Sequence, residues 1–349
     1  MGVKFAKHEL TLLSSAFVLP NKRISNETLL AALGEHCGAL AKRKARTIAK
    51  RLGVDSRYLV RDLTQAKSQP SPSSIDLGVE VLTQVLAQAQ LDINELEYLI
   101  SHTCTPHTQV PPNAAWLADR LSFQGPYLEL RQACTGFANA LQIASAFCAT
   151  DNAPVAIVGT ETGSVYFEIA KSFLTTEQLV NYVQMGDGAG AVILGPAQGE
   201  EGRLTDIYLG QIGEGKEPGF YLDSGSMDVG KGEMTRFHHN TEAVRANGSQ
   251  LFELGLQAVL SRGYQLDDFA YILPHQANGH IDIMLAEALG VEPERIINDA
   301  KYFGNQGSAA IWVSFAKLVN SGRLSKGDKV LVLGAEATKY LYGGFVYSH

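Results

Sequence analysis

The feature that most constrains this chain is an internal duplication. Residues 80–103 carry a helix-like apolar pattern, then the acidic turn Asp92-Ile93-Asn94-Glu95, then the apolar run Tyr98-Leu99-Ile100-Ser101-His102. Residues 253–275 repeat that order, through Leu266-Asp267-Asp268 to Tyr271-Ile272-Leu273-Pro274-His275. The segments that follow also match. Tyr127-Leu128-Glu129-Leu130 leads to a turn at Cys134, a helix through Phe147 and the strand Pro154–Gly159. Arg295-Ile296-Ile297-Asn298 leads to a turn at Asn305, a helix through Leu318 and the strand Lys329–Gly334. One unit of strand, turn, helix and strand therefore occurs twice, about 170 residues apart, which is far beyond the roughly 20–50-residue period of a solenoid.

Strands that alternate with helical patterns imply mixed sheets with helices on their faces. Two such units packed together predict a layered α/β/α/β/α arrangement. The polar, Gly-rich stretch Pro196-Ala197-Gln198-Gly199-Glu200-Glu201-Gly202 marks the division. It splits the chain into an N-terminal half, 1–198, and a C-terminal half, 199–349.

The length of 349 residues with 45% hydrophobic content is enough for a large core. A net charge of −7 excludes a nucleic-acid footprint. No apolar run reaches the roughly 18 residues of a membrane span, and residues 1–10 lack a signal-peptide core. Cys37, Cys104, Cys134 and Cys148 are too few for a disulfide framework, which fits a reducing cytoplasm.

Three residues lie where an element ends and a reactive side chain is presented. Cys134 opens a mostly apolar helix, where the helix dipole is expected to lower its pKa and its own N–H to meet an oxyanion. His275 follows an apolar strand and precedes Gln276-Ala277-Asn278. Asn305 lies in Gly304-Asn305-Gln306-Gly307-Ser308, where it can serve the turn and offer its NH2 to a carbonyl. A pseudo-two-fold axis brings the Cys134 and Asn305 turns together, and the three side chains suffice for covalent acyl transfer.

Other candidates have blander readings. Cys37, Cys104 and Cys148 read as structural, and His102 matches His275 without a polar cluster after it. Gly186-Asp187-Gly188-Ala189-Gly190 precedes a strand, the wrong order for a nucleotide loop, so close backbone packing is expected. His238-His239 lacks metal-ligand spacing and reads as a loop feature; no metal site is expected. The basic run Lys42–Arg51 reads as a helix, either a solvated face or a dock for an acidic, phosphorylated partner.

Taken together, the chain resembles the thiolase superfamily, specifically its ketosynthase III branch (3-oxoacyl-acyl-carrier-protein synthase III). The resemblance rests on Arg51–Arg57, Ala133–Phe137, Gly186–Ala191, Pro274–Asn278 and Gly304-Asn305. It implies a five-layered αβαβα thiolase-like fold from two duplicated halves. It implies that Cys134 takes an acyl group from CoA or acyl carrier protein. His275 and Asn305 would then hold the carbonyl of a malonyl- or 3-oxoacyl-type thioester extender, promote decarboxylation and stabilise the resulting enolate for a decarboxylative Claisen condensation. No cofactor is implied beyond CoA or phosphopantetheine thioesters as substrates, with Arg51 and Asn278 near the arm. A cytoplasmic homodimer is implied, with Val110-Pro111-Pro112 in the loop that closes the partner's acyl pocket.

The sequence departs from the pattern in ways that point to a specialised, secondary-metabolite relative. Gly334-Ala335-Glu336-Ala337-Thr338-Lys339 stands where the family carries a Gly-rich oxyanion turn. Thr47 and His280 stand where an aromatic residue and an Arg usually meet CoA, which favours a carrier-protein donor. Competing readings are an acyltransferase that forms an ester or amide, a head-to-head acyl condensation without decarboxylation, and a silent partner subunit. A papain-like hydrolase also uses Cys, His and Asn, but the duplication opposes it.

Overall fold

The computed structural model describes residues 2–63, 71–151, 153–223 and 235–349. Up to residue 196 the strands are β1 (Lys4–Phe5), β2 (Leu10–Val18), β3 (Arg23–Ser25), β4 (Ser56–Tyr58), β5 (Tyr98–His102), β6 (Tyr127–Leu130), β7 (Val155–Glu161) and β8 (Gly188–Pro196). The helices there are α1 (Asn26–Cys37), α2 (Ala39–Leu52), α3 (Ser74–Ala89), α4 (Asn113–Leu121), α5 (Gly136–Asp151) and α6 (Thr176–Gln184). Beyond it come the strands β9 (Arg203–Gln211), β10 (Phe220–Leu222), β11 (Phe237–His239), β12 (Tyr271–Pro274), β13 (Lys329–Glu336) and β14 (Leu341–Ser348). The helices are α7 (Thr241–Leu260), α8 (Ile281–Leu289), α9 (Ala300–Phe303) and α10 (Ala310–Val319).

The strand order repeats. From β2 the ladder runs antiparallel to β8, antiparallel to β7, parallel to β5 and parallel to β6. From β9 it runs antiparallel to β14, antiparallel to β13, parallel to β12, then to a parallel bridge between Ile272 and Ile296. Among the described residues the two ladders pair where β2 meets β9, at Leu10–Leu204 and Thr11–Arg203. Helices α5 and α10 lie between them, α3 and α4 cover one outer side, and α7 and α8 cover the other. This is the five-layered thiolase-like αβαβα arrangement. All seven residues of β7 are buried, as expected for a strand covered on both faces.

The middle layer sets the position of the reactive turns. Trp312 of α10 is fully buried and meets Phe137 of α5 edge to face at 5.8 Å. Its indole N–H donates to His102 Nε2 at 2.9 Å. Burial holds that imidazole neutral, with its pKa down to about 3. Gly136 has no room for a side chain, because a Cβ there would lie 2.6 Å from His102 Nδ1. His102 is thus a wedge between the two central helices. Truncating a side chain such as Trp312 to Ala costs about 3–5 kcal/mol.

Candidate active site

Cys134, His275 and Asn305 line one cavity of about 140 Å³. His275 and Asn305 are placed by backbone hydrogen bonds to residues far away in the chain. His275 lies just past β12, and its N–H donates to Leu333 O on β13 at 2.7 Å. The next residue, Gln276, locks the turn: its Nε2 donates to Pro274 O and Ile297 O, and its Oε1 accepts from the N–H groups of Asp299 and Ala300. Asn305 N–H donates to Gln184 O at 2.7 Å, and Gly186 N–H returns a bond to Asn305 O at 2.9 Å. The Asn305 side-chain oxygen accepts from Gly307 N–H, which leaves its NH2 for a ligand.

The glycines of residues 186–190 exist for this docking. A Cβ at Gly186 would lie 2.0 Å from Phe303 O, and one at Gly188 would lie 2.5 Å from Gln306 Nε2. Asp187 between them is fully buried and accepts from Val60 N–H and from the N–H and hydroxyl of Ser164. The segment is a backbone seat for the Asn305 loop.

The electrostatics of Cys134 differ from the sequence-based expectation. Burial pushes its thiol well above the usual value, and the Glu336 and Glu161 carboxylates push it further. The helix N-terminus does not offset them, since a dipole end carries only about half a charge. Its first free donor is also engaged: Thr135 N–H and Oγ1 both donate to Glu336 Oε2, at 2.9 and 2.7 Å. The Cys134 thiol therefore rests in its neutral form. Burial keeps His275 neutral, with a pKa down to about 4, so it can accept that proton.

Sequence reasoning missed the two carboxylates. Glu161 ends β7 and Glu336 ends β13, in the matched segments Gly159-Thr160-Glu161 and Gly334-Ala335-Glu336. Each reaches across to the start of the other unit's central helix. Glu161 Oε2 accepts from Ser308 N–H and Oγ at 2.9 and 3.0 Å, just before α10. Glu336 does the same for Thr135, just before α5. A threonine hydroxyl holds the other oxygen in both cases, Thr105 for Glu161 and Thr338 for Glu336. The repeated Gly-x-Glu was the available signal.

Three more placements correct or refine the sequence reading. Cys104 is no simple core residue: it lines the cavity, and its thiol donates to Glu161 Oε2 at 3.1 Å. His239 is not a loop residue but ends β11, lines the same cavity and has its ring Nδ1 3.3 Å from Asn181 Oδ1. Arg51 and Asn278 do not line the cavity. Arg51 is exposed on the last turn of α2, and Asn278 Oδ1 accepts from His280 N–H. They lie beside it, because Gly279 N–H donates to Leu52 O at 2.8 Å and joins α2 to the His275 turn.

Comparison with known proteins bears on the family and the fold. Residues 128–213 match the 3-oxoacyl-(acyl-carrier-protein) synthase III family, and residues 260–347 match the family of its C-terminal part. The chain is 27% identical over 310 residues to the beta-ketoacyl-(acyl-carrier-protein) synthase III of Chlorobium chlorochromatii, across 85% of this chain and 88% of that one. The 3-oxoacyl-(acyl carrier protein) synthase III of Pseudomonas aeruginosa superposes with a TM-score of 0.80 at 25% identity, covering 98% of each chain. A tetronic acid condensing enzyme superposes with a TM-score of 0.84 at 24% identity, over 97% of this chain and 100% of its own, a likeness of fold.

Proposed function

Because the chain belongs to the ketosynthase III branch of the thiolase-fold enzymes, we propose that it is a condensing acyltransferase working through Cys134, His275 and Asn305. The observation that carries this reading is the convergence of those three side chains on one cavity. Neutral His275 takes the Cys134 proton, and the thiolate attacks an acyl thioester, releasing CoA or the carrier thiol. On this reading the Cys134 N–H donates to the tetrahedral oxyanion. A second thioester of malonyl or 3-oxoacyl type then enters. Its thioester carbonyl is held by Asn305 and His275, loss of carbon dioxide from a malonyl-type extender leaves the enolate, and the enolate carbon attacks the acyl-Cys134 carbonyl; the carbon–sulfur bond breaks and the Cys134 sulfur leaves with the electron pair and is reprotonated.

The donor reading favours a carrier protein. Arg43, Lys44, Arg46, Lys50 and Arg51 are exposed along α2, the helix whose end abuts the His275 turn. Such a stripe attracts an acidic partner and leads its phosphopantetheine arm toward the cavity. Arg51 and Asn278 are the residues nearest that route. The two-half division at residue 198 and a homodimer belong to the same reading. Support for the dimer comes from β6, the last strand of its ladder, and from Val110, which is 85% exposed. Among the described residues no helix is long and apolar enough to cross a membrane. The free cysteines favour the cytoplasm.

The test is product formation. Enzyme preloaded with an octanoyl group should yield a chain-extended thioester when an extender thioester is added, read by mass spectrometry. Release of octanoate, or transfer to an alcohol or amine with no new carbon–carbon bond, would replace this reading with hydrolase or simple acyltransferase chemistry.

A further inference from the structure

His239 lines the same cavity as Cys134, and the condensing reaction leaves it without a role. Alternation along β11 turns Phe237 and His239 to one side of the strand. Helix α6 meets them with Gln178 and Asn181. The Phe237 carbonyl accepts from Gln178 Nε2 at 2.8 Å and from Asn181 Nδ2 at 3.4 Å. A carbonyl only accepts, so the Asn181 atom that faces it is the NH2 and not the oxygen. The Asn181 oxygen is therefore the atom that stands 3.3 Å from His239 Nδ1. That oxygen in turn requires a hydrogen on Nδ1.

The state of the other ring nitrogen follows. Burial holds the His239 imidazole toward its neutral form. The Glu177 carboxylate, which accepts the His239 backbone N–H, pulls the other way without prevailing. A neutral ring with its hydrogen on Nδ1 carries a bare lone pair on Nε2. Among the described residues no hydrogen bond reaches that Nε2, and unlike the Nδ1 of His275 it is not closed off by its surroundings. The Phe220 ring stands edge-on to the imidazole at 5.5 Å and limits its rotation. The cavity thus presents one oriented acceptor beside an apolar wall of Phe220, Val244, Leu251 and Phe252.

We propose that His239 is a specificity-determining residue, whose Nε2 accepts a hydrogen bond from an uncharged O–H or N–H that the acyl thioester brings into the cavity. This rests on the acyl-transfer reading above. Two groups have the required chemistry, a hydroxyl on the acyl chain and an amide N–H of the phosphopantetheine arm. A thioester that lacks the donor strips water from Nε2 and leaves it unpaired, which is the source of the discrimination. No bond is made or broken at His239. It fixes where the chain or the arm lies while Cys134 attacks, and it leaves His275 and Asn305 to the reacting carbonyl.

The experiment follows acylation of Cys134 by intact mass, as a second-order rate constant, in wild type, His239→Phe and His239→Gln. Phe keeps a ring against Phe220 without an acceptor, and Gln restores an acceptor. The thioesters are octanoyl-CoA, 2-hydroxyoctanoyl-CoA, 3-hydroxyoctanoyl-CoA and S-butyl octanethioate, which has neither hydroxyl nor amide. The expected result is a loss of about tenfold to a hundredfold in His239→Phe for thioesters that carry the donor, largely recovered in His239→Gln. A chain hydroxyl as donor confines the loss to the hydroxyoctanoyl thioesters. An arm N–H spreads it over every CoA thioester and spares the S-butyl one. Wild-type rates throughout in His239→Phe, an equal loss that includes the S-butyl thioester, or no recovery in His239→Gln overturns the proposal alone. Nitrogen-15 NMR of the wild-type imidazole stands as a test even if His239→Phe folds poorly: Nδ1 protonated and Nε2 bare is expected, and the opposite tautomer overturns the proposal. Wild-type enzyme that no thioester acylates overturns the acyl-transfer reading and the proposal with it.

Discussion

Glu336 accepts the backbone N–H of Thr135 at 2.9 Å, and Thr135 directly follows Cys134. A buried carboxylate thus occupies the helix end on which a thiolate would ordinarily draw. The arrangement separates two properties that a helix N-terminus usually joins, placement of the sulfur and activation of it. Placement is kept, and on the proposed mechanism activation passes to His275.

The charge state of Cys134 follows. Its alkylation by iodoacetamide should rise with pH only well above neutrality, since burial and two carboxylates hold the thiol protonated. Glu336→Gln should move the rise to lower pH and speed alkylation severalfold at pH 7.5. A wild-type profile that is already flat and fast at pH 7 would show that the sulfur is a thiolate at rest.

His275 and Asn305 should matter unequally in the two half-reactions. Asn305→Ala should leave acylation of Cys134 nearly intact and slow condensation by about 10²–10³, the usual loss for one oxyanion-type donor. His275→Ala should slow both, because the neutral thiol needs its base. Single-turnover acylation measured by intact mass, compared with steady-state product formation, separates the steps. Equal losses in both steps for Asn305→Ala would remove its special link to the enolate.

Gly186→Ala tests the seat of the Asn305 loop. The added Cβ would lie 2.0 Å from Phe303 O, a backbone atom with no rotamer to change. A loss of about 1–3 kcal/mol in stability is expected. Condensation should fall more than acylation, because Gly186 N–H also holds Asn305 O. Denaturant melts and the two half-reactions report this together. Unchanged stability would mean that the loop has room that the geometry denies it.

Acid sensitivity has a named source in His102. Its folded pKa of about 3 lies below the roughly 6.5 of an unfolded histidine, so the folded state binds fewer protons between those values. The contribution is fully present above pH 6.5 and is lost as pH falls toward 3, at about 1.4 kcal/mol per pH unit. His275, at about 4, acts in the same direction. Asp187, raised to about 7, acts in the opposite one. His102→Gln retains an acceptor for Trp312, and its stability should fall less steeply between pH 6 and 4. Identical slopes would show that His102 is not the source.

Much of this was written locally in the sequence. The strand patterns ending at His102 and His275 appear as β5 and β12, and the turns at Cys134 and Asn305 precede α5 and α10. Those residues were legible because they interrupt strong apolar periodicity. Glu336 was not, because its stretch was read as a departure from a Gly-rich turn and its meaning depends on Thr135, 201 positions away in the chain. His239 was missed for a similar reason, since only the β10–β11 pairing carries it to the cavity wall. The charge state of Cys134 required both carboxylates to be placed, and no local pattern supplies that.

The central claim is that Cys134 carries the acyl group. Intact protein mass after incubation with a panel of acyl-CoA and acyl-carrier thioesters tests it most directly, with wild type beside Cys134→Ala. The account predicts a stable adduct on wild type, equal to one acyl group, that is absent from the variant. An adduct that survives in Cys134→Ala would contradict it, as would wild-type enzyme that forms condensed product without ever becoming acylated.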